Sequence, residues 1–200
     1  MSPAGLWVGG VRHLYRIDTA TGAALASIRI RGEASRLAID PSGSLLYVAR
    51  NVPGFADGLP PQERDAVSGA LEATSSFNPG YAANWLAATD HGVWLSTATG
   101  NFGAAFFLRQ NGLKARPRSI ESNQGVVASL AGGWLWVPMD LGRELICADP
   151  VTGRRAGTFT LGPRAADGYE VETNVVTVGR STFVGTGAGI VRIPASRCAP

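Results

Sequence analysis

Two independent periodicities constrain this chain more than any other feature. An aromatic residue followed by an aliphatic one recurs at Trp7-Val8, Tyr47-Val48, Trp94-Leu95, Trp136-Val137 and Phe183-Val184, at intervals of 40, 47, 42 and 47 by subtraction. A second series of the form Asp-x-x-Ser/Thr-Gly runs from Asp18 to Gly22, Asp65 to Gly69 and Asp149 to Gly153, with gaps of 47 and 84, and 84 is two units of 42. Where the missing copy falls, Gln110-Asn111-Gly112 supplies a turn of another type. Two residue classes that keep one period of about 40 to 47 residues have the spacing of propeller blades.

The unit is clearest between Trp134 and Leu161, where three short apolar runs are separated by a polar link and a Pro-Val-Thr-Gly turn. In such a turn an Asp side chain accepts hydrogen bonds from backbone N–H groups just downstream, while Gly takes the left-handed conformation that closes the hairpin. The series aspartates, and Asp40 in Asp-Pro-Ser-Gly, therefore read as turn formers rather than catalytic acids.

With the strands of a blade lettered A to D from the inside outwards, the first unit supplies B, C and D at 6–9, 14–18 and 24–30. The second supplies A at 36–40, B at 45–50, C near Arg64 and D at 71–75. The third supplies A at 84–89, B at 93–97, C at 104–110 and D at 113–116, and the fourth opens with A at 125–130. The last supplies A, B and C at 174–178, 182–185 and 189–193. The expectation is one all-β domain over residues 1–200, a β-propeller of four-stranded antiparallel blades with three full blades and two incomplete ones. It reads as part of a larger or incomplete ring, the chain being the C-terminal part of a longer propeller or starting downstream of the true beginning.

Connections A to B and C to D are tight (Pro41-Ser42-Gly43, Asp90-His91-Gly92, Gly132-Gly133), whereas those from B to C and D to A are long, over 51–63, 77–83, 99–103, 116–124, 140–143 and 162–171. In an up-and-down blade both long kinds emerge on the same face, where a rigid scaffold carries its binding residues. Asn51, Arg64, Asn101, Asp140 and Arg143 are the candidate binding residues on that placement alone.

Composition narrows the function class. The net charge of +3 rests on arginine, Lys114 being the only lysine, and reads as mutational bias in a GC-rich genome. The arginines are scattered along the sequence without interleaved aromatics, so no nucleic-acid surface is expected. The start MSPAGLWVGG has neither a basic segment nor an apolar core of a signal peptide, and no apolar run reaches the roughly 20 residues of a membrane span. Cys147 and Cys198 are the only cysteines; a single disulfide and two unrelated thiols both remain open.

The run from Trp7-Val8 through Leu-Tyr-Arg-Ile-Asp-Thr-Ala-Thr-Gly to Leu-Ala-Ile-Asp-Pro-Ser-Gly-Ser-Leu-Leu-Tyr-Val-Ala resembles the YVTN, NHL and streptogramin-lyase-like group of β-propellers, and is similar to the C-terminal portion of uncharacterised actinobacterial propeller proteins. The resemblance implies a propeller, often extracytoplasmic, and says little of chemistry. Quinone-binding propellers carry a docking Trp soon after the Thr-Gly turn, whereas this chain has 25–28 and 156–159 there without one. There is also no Gly-His and Trp-Asp pairing of the WD40 type.

No nucleophile motif is present. His13 and His91 fall on opposite faces of the expected blades, so no His pair, resident metal or cofactor is expected. The Gly-rich stretch 185–189 lacks a following helix or Lys and reads as a hairpin turn. Glu170 and Glu172 share a strand face and read as a solvated entry. The recurrent aromatics fall at equal blade positions and read as inter-blade packing. The reading is a non-catalytic binding or scaffold propeller acting through the long-link face on a protein or small-molecule partner, with self-association through incomplete blades. The alternative is a lyase-like, metal-dependent propeller enzyme around His13 with Asp140 or Glu63. Localisation reads as secreted or cell-surface by resemblance, and cytoplasmic if Met1 is the true start.

Overall fold

A computed structural model of the chain describes residues 5–99, 102–109, 113, 118–122, 128–139, 144–161, 175–186, 189–194 and 198. The chain divides into two compact units, Met1–Leu95 with Phe107–Pro117, and Ser96–Phe106 with Arg118–Pro200. Among the described residues the elements are strands, and no helix is long and apolar enough to cross a membrane.

The first unit opens with a six-stranded antiparallel sheet whose strands lie in chain order: β1 (Leu6–Gly9), β2 (Val11–Ile17), β3 (Ala24–Ile39), β4 (Leu45–Asn51), β5 (Gly58–Asp65) and β6 (Leu71–Thr74). The strands expected at 24–30 and 36–40 are therefore one strand, and the first two sequence units share a sheet through it. β3 changes partner along its length, pairing with β2 from Ala24 to Glu33 and with β4 from Glu33 to Ile39. The two halves pack on each other around Trp7, which is buried with Leu14, Ile30, Leu46, Val48 and Ala66. Trp7 Nε1 donates to Ala66 O across this core at 2.9 Å.

β5 corrects a second expectation, since it begins at Gly58 inside the stretch read as a long link over 51–63. Pro60 and Pro61 hid it, because proline is confined in sheets to edges and irregularities. Here the ladder with β4 shifts register between Val48 and Arg50, opposite those prolines.

A four-stranded sheet follows in the order β10-β9-β8-β7, from β7 (Ala83–Thr89), β8 (Gly92–Thr99), β9 (Phe102–Arg109) and β10 (Arg118–Ser122). The outer strand expected at 113–116 thus lies later in the chain. Leu113 is fully buried with φ +50, outside the strand region, and its carbonyl accepts from Ser75 Oγ at 3.2 Å. The link expected over 99–103 is shorter, since β8 runs through Thr99 and β9 starts at Phe102. Trp94 and Phe107 pack in a tilted arrangement, 5.1 Å between centroids.

In the second unit, β11 (Ser129–Ala131), β12 (Trp134–Met139), β13 (Glu144–Ala148) and β14 (Arg155–Thr160) form a four-stranded sheet in chain order. β15 (Val175–Val178), β16 (Ser181–Thr186) and β17 (Gly189–Pro194) form a three-stranded one. Trp136 joins them, buried among Leu145, Cys147 and Leu161 of the one and Val184 and Ile193 of the other. This is the inter-sheet packing expected of the recurrent aromatics. Phe183 departs from it: it is half-buried, and its neighbour Val184 enters the core. Cys147 and Cys198 form a disulfide with a Cα–Cα distance of 6.2 Å, which settles the open alternative and ties the end of the chain to β13.

The turns behave as their sequence requires. Asp18 Oδ1 accepts from Ala20 N at 2.8 Å and Thr21 N at 3.3 Å, Asp65 Oδ1 from Val67 N at 3.1 Å and Ser68 N at 2.6 Å, and Asp149 Oδ1 from Val151 N at 2.8 Å and Thr152 N at 2.7 Å. Gly22, Gly69 and Gly153 close the three turns, each donating to its aspartate's carbonyl at 2.8 Å. Asp40, 5% exposed, accepts from Ser44 N and Leu45 N, both at 2.8 Å, and from Ser42 Oγ. Its burial raises the acid's pKa, but the hydrogen bonds from Ser42, Leu45 and Ser44 outweigh it and hold the group below its ordinary value.

Two outcomes follow from these contacts. Cys198→Ser should lower stability by up to about 4 kcal/mol, the entropy of a closed loop of this length, and in denaturant melts dithiothreitol should then affect the wild type alone. Asp40 stays ionised to lower pH in the fold than in the unfolded chain. Its contribution is therefore present above the ordinary carboxylate value and lost as pH falls through the lowered one. Asp40→Asn should cost about 1.5 to 3 kcal/mol at pH 7, and the gap to wild type should narrow in melts taken at progressively lower pH below the ordinary carboxylate range; a gap constant with pH would refute the assignment.

Candidate functional site

A concavity in the first unit lies at a fault in the pairing of β2 with β3. Val11 pairs with Glu33 and His13 with Arg29, so Arg12 alone stands opposite Ile30, Arg31 and Gly32. Extra residues in one strand of a ladder form a bulge, which bends the strand and re-aims its side chains. The bulge opens a cleft of about 560 Å³. Arg12, Arg29 and Arg31 line it together with apolar Val52, Pro53 and Leu59; Ile30 and Gly32 complete the wall.

Backbone conformation marks the same place. Gly32 has φ +92, and a Cβ there would lie 2.5 Å from Leu59 Cδ1 and 2.7 Å from Asn51 O, so only glycine fits the close approach. Arg12 has φ +61, in the left-handed region that costs a residue with a Cβ about 1 to 2 kcal/mol. Non-glycine residues held there cluster at ligand sites.

Arg50 repairs the ladders behind the cleft. It is 5% exposed. Its Nη1 donates to Arg31 O at 2.8 Å, and Nε and Nη2 donate to Pro60 O at 3.2 and 2.6 Å. One side chain thus satisfies carbonyls at two irregularities. Burial, and then the positive charges of Arg64 and Arg31, pull its pKa below the ordinary arginine value.

The five residues singled out in the sequence separate. Asn51 ends β4 beside the cleft, with Nδ2 3.4 Å from Val52 O and 3.3 Å from Phe55 O, and its buried Oδ1 has no hydrogen-bond partner. Arg64 is buried in β5, with Nε and Nη2 donating to Gln62 Oε1 at 3.1 and 2.9 Å and Nη1 to Gly69 O at 2.8 Å. Asn101, Asp140 and Arg143 lie outside the described residues. His13 is half-buried in β2, its ring stacked 5.9 Å from Tyr15, while Glu63 sits in β5 opposite Tyr47. No group of three His, Cys, Asp or Glu side chains able to hold a metal occurs among the described residues.

The cleft arginines escaped a reading by position because scatter was judged along the chain. The available signal was Ser-Ile-Arg-Ile-Arg-Gly, an alternation that puts Arg29 and Arg31 on one strand face. Arg12 gave no sequence signal, because its approach depends on the bulge.

No protein-family model matches the sequence, and no curated protein matches it. Solved structures do match. The chain is similar to the Dos1 propeller, with a TM-score of 0.69 at 14% identity over 95% of this chain and 53% of that one. It is similar to a chain of the mitotic checkpoint complex, with a TM-score of 0.66 at 12% identity over 95% of this chain and 60% of that one. It is also similar to Hsv2 of Kluyveromyces lactis, with a TM-score of 0.64 at 10% identity over 96% and 59%. The fold is that of a β-propeller. The chain spans between half and two thirds of the length of these three structures.

The cleft lies where β3 changes partner from β2 to β4. Arg12→Gly should raise stability by about 1 to 2 kcal/mol by relieving the left-handed backbone. Gly32→Ala should lower it by about 1 to 3 kcal/mol. Denaturant melts of the two variants check both signs, and an Arg12→Gly protein less stable than wild type would show that the bulge is not strained.

Proposed function

We propose that this chain is a non-catalytic propeller domain for binding or scaffolding that works through the face carrying the B-to-C and D-to-A links. The position of the cleft carries the reading. Arg12 follows the first B-to-C link, residues 29–32 form the D-to-A passage within β3, and Val52 and Pro53 open the B-to-C link between β4 and β5. Asn51 stands at the head of that last link with an unpaired buried oxygen, and Arg64, Asn101, Asp140 and Arg143 stay candidates on their place in the sequence alone. The partner is a protein or a small molecule. Exposed Leu6 and Val8 on β1 support association of blade edges with a further copy.

The repeated aspartate turn supports a place in the YVTN and NHL group of propellers. The disulfide supports an extracytoplasmic setting, because such bonds persist in oxidising compartments. Peptides selected from a phage-displayed random library on the immobilised chain test the working face. Their capture should be lost on Arg31→Glu with Asn51→Ala and retained on Asp90→Arg with His91→Glu, which alter an A-to-B turn. The reverse pattern would place the binding face on the opposite side.

A further inference from the structure

We infer that the bulge cleft is a binding site for a small organic oxyanion, a phosphate ester or carboxylate attached to an apolar body, which deepens the binding reading above and rests on it. Three observations converge. First, Arg12, Arg29 and Arg31 line one cavity, and none of their guanidinium groups has a hydrogen bond or ion pair among the described residues. The nearest acids along the chain, Glu33 and Asp57, are not among the residues that line the cleft.

Three guanidinium groups without counter-ions repel one another, so an anion is the charge this arrangement lacks. Arginine also presents parallel N–H donors that match the oxygens of phosphate and carboxylate.

Second, the cavity is not uniformly polar. Val52, Pro53 and Leu59 line it beside the arginines, and a pocket of a few hundred Å³ with apolar lining and a few convergent polar groups is the usual form of a small-molecule site. A bare inorganic ion would leave that lining in water. Third, Arg12 lines the cleft while holding a positive backbone φ at which glycine would be less strained. The buried Arg50, which donates to Arg31 O, adds a fourth positive charge whose like-charge neighbours include Arg31, so an anion held by Arg31 would relieve repulsion at both arginines.

Calorimetric titration of the purified chain at low ionic strength tests the site with phenyl phosphate, benzoate, inorganic phosphate and neutral benzyl alcohol. Phenyl phosphate and benzoate should bind saturably, with affinity falling as salt rises. Inorganic phosphate should bind more weakly, and benzyl alcohol not at all. Phenyl phosphate binding tighter than benzoate assigns a phosphate ester; benzoate binding as tightly or tighter assigns a carboxylate.

Arg31→Ala and Arg12→Gly should each weaken the better anion by about tenfold or more, the loss of a hydrogen bond to a charged group. Their unliganded melting midpoints should not fall, which separates loss of the site from loss of the fold. Leu59→Ala should reduce the advantage of phenyl phosphate over inorganic phosphate.

The inference is overturned if neither organic anion binds wild type in the millimolar range, if benzyl alcohol binds as well, or if binding survives loss of all three arginines. Should the anions fail while selected peptides still dock through the link face, the oxyanion site alone falls. Failure of both removes the binding reading as well.

Discussion

In three returns of this chain one carboxylate oxygen, on Asp18, Asp65 or Asp149, receives two successive backbone N–H groups, and the strands on either side take their register from that turn. Register matters because side chains alternate faces along a strand, so a slip of one residue would carry every side chain to the opposite face of its sheet. With the turns fixed, Trp7, Tyr47, Trp94 and Trp136 all fall on buried positions. The turn at Asp65 is also part of the core: Gly69 leaves room for Trp7 and Ile28, which a Cβ would strike. Local hydrogen bonding and tertiary packing thus act on the same residues.

The fold was legible in the sequence to the extent that its information is local and repeated. Strand order, the aspartate turns and the burial of the recurrent Trp and Tyr residues all follow from period and turn chemistry. The exceptions have local causes. The continuity of β3 across residues 31–35 was hidden because Gly32-Glu33-Ala34-Ser35 reads as a connection, yet both neighbouring strands pair with this stretch. β5 was hidden by its prolines. The disulfide was undetermined because Cα separation is a tertiary quantity. Phe183 and Val184 alternate faces, and here the smaller residue takes the core.

The candidate site was less legible, for a different reason. A bulge changes which residues are neighbours without changing composition, so Arg12 reaches the same cleft as Arg29 and Arg31 only once the ladder is known. The strain that accompanies it is expressed in backbone angles. Arg64, chosen for its place beside a link, has a buried guanidinium that donates to Gln62 and Gly69, contacts that its place in the sequence did not indicate.

Arginine usage, which composition alone attributes to mutational bias, has a geometric reason at two positions. Breaking a β-ladder leaves carbonyls that lose strand partners, and a buried acceptor without a donor costs about 1 to 3 kcal/mol. Arg50 spans Arg31 O and Pro60 O from a planar fork with several fixed donors, and Arg64 bridges Gln62 and Gly69 in the same manner. Lysine offers a compact ammonium on a flexible stem and loses its proton more readily when buried, so it would hold neither pair of acceptors with comparable geometry. The bulge that opens the cleft and the proline-bearing strand behind it are therefore tolerable together because a single guanidinium serves both. The positive charge this brings beneath Arg31 favours an anion as the cleft's occupant.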